Sequence, residues 1–268
     1  MDNDKIIELE RYDKRAQSQL SIFGSEHLAG EFGSLAMPQY LRAPYTCYEK
    51  CVSELISAED QVLELGAGSG LHTWVLVQTG ARVTATDISP NSLRLLNQRI
   101  VNMGGSVKTQ LADIESLPFP DASFDAVTCA GSLSYGEPAK VDSEVKRVLR
   151  PGGLLVCVDS LNHNPIYRLN RWLHYWRGAR TKSTLQRMPD LTRIAMLGSG
   201  FANVDVYYFG ALSFAMPVIA RVCGPARAQA VSDCFDQLIG VRRSAFKFVL
   251  VAKGLNRTAI TGRSSDPA

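Results

Sequence analysis

Histidine is scarce in this chain of 268 residues, which has four, and long apolar runs are missing. The longest, ALSFAMPVIARVC at 211–223, is too short to span a bilayer and contains Pro217. Excess charge of one sign is also missing. The 29 Lys and Arg against 26 Asp and Glu leave +3, too little to argue for a nucleic-acid partner by itself. None of the six cysteines forms a C-x-x-C pair, and no His or Cys cluster surrounds Cys47 and Cys51. That pattern argues against a structural zinc site and predicts no resident metal, buried reduced thiols and a cytosolic chain. The N-terminal stretch MDNDKIIELERYDKRAQSQL is charged throughout and lacks the apolar core of a secretory leader.

What is present is alternation. QVLEL, RVTATD, SVKTQLAD, FDAVTCAG and LLVCVDS read as strands, each followed by an amphipathic segment or a turn cluster. Ser89 and Pro90 open one helix as N-cap and first helical residue, and Gly104-Gly105 closes it. AKVDSEVKRVLR reads as a helix that stops before Pro151. Strand and helix alternating five times predict a parallel sheet covered on both faces. The closing pair VDVYYFG and FKFVLVAKG supplies two further strands. The expected organisation is a mostly helical cap over 1–58, an α/β domain over 59–256 with an insertion at 161–189, and a disordered tail over 257–268.

The first strand runs into VLELGAGSGLHTWVLV, with Gly66, Gly68 and Gly70 at alternate positions between strand and helix. Glycines at this turn let the backbone approach a ligand closely. The spacing is not the G-x-G-x-x-G of a dinucleotide site, and Glu64 stands two residues before the first glycine. A carboxylate there suits a ligand carrying an ammonium or sulfonium and repels a diphosphate. Asp87 at the end of the second strand can accept from ribose hydroxyls, and Asp113 ends the third, where a nucleobase would lie.

On these residues the sequence resembles the class I S-adenosylmethionine-dependent methyltransferases. VLELGAGSG, TATDISP, LADIESLPFPDASFDAV and VKRVLRPGGLLV look like their successive motifs, over about residues 60–160. The last of these is typical of the branch acting on small molecules. The resemblance implies a Rossmann-like sheet of seven strands, mostly parallel, with an antiparallel last strand inserted beside the sixth, helices on both faces, and a helical cap. It implies S-adenosylmethionine as cofactor. Glu64, Gly66, Gly68, Ala130 and Gly131 would flank its methionine part, and Asp87 the ribose. Ile88, Asp113 and Ile114 would hold the adenine, and Tyr12 would lie over the cofactor.

The acceptor is less legible. Strand four ends CAGSLSYGE and lacks the Asn/Asp-Pro-Pro-Tyr/Phe motif of DNA amino methylation, which disfavours a nucleic-acid acceptor. In the 161–189 insertion, Asn164 and Pro165 open a helix on which Ile166, Leu169, Leu173 and Trp176 share a face expected to pack on the domain. Six cations and no acid fall between 161 and 189, Arg168 and Arg171 among them. Three readings stand: a cap over an anionic small-molecule or glycan acceptor, a solvated cationic face, or a peripheral membrane contact through 165–180. The insertion and the upstream APYTCYEK also look like methyltransferases of bacterial surface-polysaccharide clusters. A hydroxyl acceptor needs a general base, for which His163 and then His174 are candidates. His72, on the helix after the glycines, reads as structural or close to the cofactor. Tyr135, Glu137 and Tyr167 complete the expected acceptor contacts. N-methylation of an amino sugar or small amine, a non-catalytic binding module, and an NAD-dependent oxidoreductase are the alternatives, the last opposed by the glycine spacing and Glu64.

Overall fold

A computed structural model describes residues 3–22, 31–176, 181–238 and 241–256. Two helices, α1 (Asn3–Ile22) and α2 (Ala43–Leu55), precede a sheet built from β1 (Gln61–Leu65), β2 (Arg82–Asp87), β3 (Lys108–Leu111), β4 (Phe124–Ala130), β5 (Leu149–Ser160), β6 (Phe201–Phe209) and β7 (Lys247–Leu255). The strands lie in the order β3-β2-β1-β4-β5-β7-β6. β1 to β5 pair in parallel, and β7 runs antiparallel to both of its neighbours. The expected seven-stranded Rossmann-like sheet with its antiparallel last strand is therefore the fold. Strand order reverses between β1 and β4, and a ligand cleft opens at such a switch point, beyond the carboxyl ends of the strands.

The helices α3 (Thr73–Gln78), α4 (Pro90–Asn102) and α5 (Pro138–Val148) follow the strands. Side chains alternate across the pleat, and each set finds its own core. Leu63, Leu65, Val127, Cys129, Leu155 and Cys157 pack with Val141 and Val145 of α5 on one face. Val62, Ala126, Val156 and Val158 pack with Tyr48 and Val52 of α2 on the other. The N-terminal region is thus divided. α2 belongs to the domain core, whereas α1 covers the carboxyl ends of the strands. Ser89 caps α4 as its sequence predicts, accepting from the Ser92 N–H at 3.0 Å. The α5 helix ends at Val148, and Pro151 falls inside β5. There the register against β4 shifts between Phe124 and Ala126, and such an irregularity accommodates a proline that cannot donate to the ladder.

The insertion forms α6 (Pro165–Trp176) and α7 (Lys182–Gln186), followed by α8 (Leu191–Gly198), α9 (Met216–Cys223) and α10 (Pro225–Leu238). Asn164 caps α6 as expected, accepting from the Ile166 N–H at 2.9 Å. The face that packs is not the expected one. Ile166 and Leu169 are 48% and 59% exposed, whereas Tyr167 and Arg171 are buried. The Tyr167 hydroxyl donates to the Gly210 carbonyl at 2.7 Å, and Arg171 donates to the Leu161 carbonyl at 2.8 Å. Polar tips that reach backbone acceptors hold this helix down, leaving its aliphatic residues outward. The side chains of Leu173, His174 and Trp176, together with residues 177–180, His27 and the 257–268 segment, lie outside the described residues. Cys129 and Cys157 are buried thiols, but Cys223 and Cys234 are exposed, contrary to the expectation for all six. Among the described residues no helix is long and apolar enough to cross a membrane.

Candidate active site

The turn after β1 needs its glycines for separate reasons. Gly66 has φ +61°, and a Cβ there would stand 2.4 Å from the Ser132 Cβ, so the turn must pass close under the loop after β4. Gly68 has φ +54°, yet a Cβ there would meet nothing within 4 Å. Its conformation is what excludes other residues, and the open space beside it belongs to a cavity of about 460 Å³.

Gly66, Gly68, Asp87, Ile88, Asp113 and Ile114 line one part of that cavity, and Ala130, Gly131, Tyr12 and Tyr135 another. Asp87 is held in place by its own backbone surroundings, accepting from the Gly68 and Ser89 N–H groups at 2.9 Å each. Burial holds its carboxyl above the usual aspartate range, the two N–H bonds opposing that shift. Glu64 does not line the cavity. It lies behind the glycine turn, 1% exposed, and accepts from the Thr73 hydroxyl at 2.7 Å. Burial, reinforced by Asp87, pushes its carboxyl up to about 7 against the Thr73 bond.

The roof is α1. Residues Lys5, Glu8, Tyr12, Arg15, Ala16 and Gln19 of this helix, spaced along one face, line the cavity. Three contacts tie the helix down. Lys5 Nζ donates to both Asp113 carboxylate oxygens at 2.7 and 2.6 Å and lies 3.0 Å from Glu115. Asp13 accepts from the Ser89 hydroxyl and from the Asn91 backbone and side chain at the start of α4. Glu8 accepts from the Thr181 and Thr184 hydroxyls, and Asp4 accepts from the Ser183 N–H, which joins α1 to α7. Inside, the Tyr12 and Tyr135 hydroxyls hydrogen-bond to each other, their rings edge to face at 5.6 Å.

Several sequence candidates stand away from this cavity. His163 is exposed, and Tyr167 and Arg171 are committed to backbone carbonyls as described. Arg168 is exposed on α6, and Glu137 faces Lys140 at 3.6 Å. His72 is buried behind the cavity wall, stacked on Tyr45 at 5.0 Å, with burial drawing its imidazole down to about 4. Conversely, Lys5, Glu8, Arg15, Arg99, Thr184 and Arg187 line the cavity and were not singled out for it. The signal for the α1 residues was a polar stripe at helical spacing, indistinguishable in sequence from a solvated face. Among the described residues no group of three His, Cys, Asp or Glu side chains could hold a metal ion.

A glycine turn at the switch point with acids on successive strand ends defines a nucleoside-binding α/β fold. Residues 63–157 match the methyltransferase domain family. That segment, which holds the glycine turn and both strand-end acids, is similar to the class I S-adenosylmethionine-dependent methyltransferase domain. Over 113 residues it is 38% identical to the demethylmenaquinone methyltransferase of Clavibacter sepedonicus, covering 41% of this chain and 46% of that protein. Over 125 residues it is 31% identical to a sterol 4-C-methyltransferase of Caenorhabditis elegans, covering 45% and 37% respectively. The chain thus spans less than half the length of either relative. The cyclase SpnF shares the fold over 94% of this chain and 96% of its own, at a TM-score of 0.58 and 18% identity.

The residues present fit the domain's cofactor, S-adenosylmethionine. The space over Gly68 is open to a ligand, and the acidic Asp87 and Asp113 and the apolar Ile88 and Ile114 line the same cavity. The acids Glu64, Asp87 and Asp113 match a cationic ligand in sign.

Proposed function

We propose that this protein transfers a methyl group from S-adenosylmethionine to a small anionic acceptor, at a hydroxyl of a sugar-containing molecule. The bound cofactor supplies an electrophilic methyl group whose leaving group is a neutral thioether. What the chain adds is orientation and exclusion of water. Gly66, Gly68, Ala130 and Gly131 would seat the methionine part, Asp87 the ribose, and Ile88, Asp113 and Ile114 the adenine. The α1 roof would shut out solvent. Arg187 carries the anionic reading: of the cations in the basic 161–189 insertion, it lines the cavity, near Ser183 and Thr184.

His163 loses its claim as base because it is exposed outside the cavity. The Tyr12–Tyr135 hydroxyl pair takes its place as the group at the cavity that would hydrogen-bond an acceptor hydroxyl and orient it toward the methyl group. The curated relatives favour a second reading. One is named for methylation at carbon, which together with the demethylmenaquinone enzyme makes a lipophilic, carbon-centred acceptor the principal alternative. The fold alone does not decide, since a cyclase shares it.

Calorimetry with S-adenosylmethionine, S-adenosylhomocysteine and NAD tests the cofactor half of the proposal. The first two should bind and NAD should not. Asp87→Ala should weaken that binding by about 1–3 kcal/mol, the scale of hydrogen bonds to a charged group. Unaltered affinity would remove Asp87 from the site. Transfer of labelled methyl into separated pools of nucleotide sugars, lipid-linked glycans, quinols, sterols, amines and RNA tests the acceptor half. Label in an anionic sugar pool supports the first reading, and label in quinols or sterols the second.

A further inference from the structure

Among the described residues, two adjoining segments expose large apolar side chains to the surface. On α6, Ile166, Leu169 and Trp172 are exposed at successive helical turns. On the segment entering α9 and on that helix, Phe214, Val218 and Val222 are exposed, the last two at 67% and 78%. The two sets belong to adjoining structure. The buried Tyr167 of α6 donates to the Gly210 carbonyl, accepts from the Phe214 N–H at 3.2 Å, and meets the Phe214 ring at 6.2 Å. Six large apolar side chains, three on α6 and three on the segment that runs through α9, exceed the scattered exposure ordinary for a soluble surface.

Charge indicates the occupant. Residues 161–189 and 206–232, which include both helices, contain no Asp or Glu. Arg168, Lys182, Arg221 and Arg227 are exposed within them. A second copy of the same face would bring these cations against their own kind, and a neutral apolar partner would leave them without counter-charge. An anionic lipid surface offers both a hydrocarbon boundary for the aliphatic residues and phosphates for the arginines. Trp172 on the same helix is the side chain that favours the headgroup level. We propose that α6 and α9 form a peripheral docking face for an anionic membrane, an inference that rests on the surface and not on the assigned reaction. Because α6 packs against α7, whose Ser183 and Thr184 line the cavity, docking brings that side of the cavity toward the lipid.

Co-sedimentation of the full-length protein with vesicles of phosphatidylcholine, with and without phosphatidylglycerol, tests it. The protein should pellet with the anionic vesicles, less so at high salt, and stay in solution with phosphatidylcholine alone. Leu169→Glu and Val218→Glu should each reduce the bound fraction about tenfold. Both positions are exposed, so the variants should retain their circular dichroism and S-adenosylhomocysteine binding, which separates lost docking from lost folding. Failure of the wild type to pellet, equal pelleting with neutral vesicles, or undiminished pelleting of the variants would overturn the proposal. A dimer in size-exclusion chromatography that Leu169→Glu converts to monomer would overturn it too, by assigning the face to self-association.

Discussion

Burial of Glu64 makes this residue oppose stability as pH rises. Its carboxyl is raised from 4.5 to about 7 because burial penalises the ion. The folded state therefore holds a proton that the unfolded state has released between those values, and stability falls as pH rises through that window. Glu64→Gln removes this penalty. The variant should match the wild type near pH 4 and exceed it by up to about 3 kcal/mol at pH 8, read as denaturation midpoints. Binding should move the other way. A cationic cofactor favours the ionised carboxylate, so wild-type affinity should rise with pH across about 7, while the Gln variant binds more weakly and without that slope. A pH-independent wild-type affinity would exclude Glu64 from the electrostatics of the site. The glycine turn was legible at this scale because positive φ restricts residue choice locally. That Glu64 stands behind the turn and Lys5 in front of Asp113 was not legible, because each depends on where another element lies.

At the scale of elements, α1 is a roof held by polar contacts along its first half and at its middle. Lys5 pairs with Asp113 and Glu115, and Asp13 sits at the start of α4. Its apolar attachment is small: Ala16 is buried against Leu95, with Leu20 beside them. An element held this way opens at a lower free energy than the sheet beneath it. Lys5→Met keeps the length of the side chain but removes the cation paired with Asp113 and leaves Glu115 the more distant Lys140 at 3.8 Å. Amide exchange over α1 should then quicken about tenfold, with the strands unaffected, and S-adenosylhomocysteine should bind more weakly. Unchanged exchange over α1 would mean the helix is held by its other contacts. The α6 helix teaches a related lesson. Its amphipathic period was correct, but periodicity identifies two faces without saying which one the protein covers. Tyr167 and Arg171, expected to meet the acceptor, reach backbone carbonyls instead, and Ile166 and Leu169, expected to pack, stand exposed.

For the whole molecule, the cavity links the sheet's carboxyl ends, α1 and α7 into one ligand-dependent unit. A ligand that binds only the folded state stabilises all of it by mass action. S-adenosylhomocysteine at about a hundred times its Kd should contribute about 2.7 kcal/mol and raise Tm by about 5–10 °C. NAD at the same concentration should leave Tm unchanged. A rise with NAD alone would refute the cofactor assignment.

The sequence by itself determined the sheet, its helices and the cofactor turn. Alternating apolar strands, capped helices and the acid-glycine run are local patterns, enforced by backbone sterics and the periods of strand and helix. The tertiary structure decided everything that depends on distant segments meeting. It turned the polar stripe of α1 into a roof, drew Arg187 to the cavity, set His163 outside it, and left Ile166 and Leu169 of α6 exposed. Burial and partner choice are properties of the packed chain, and two segments with the same pattern meet different fates according to what the fold places beside them.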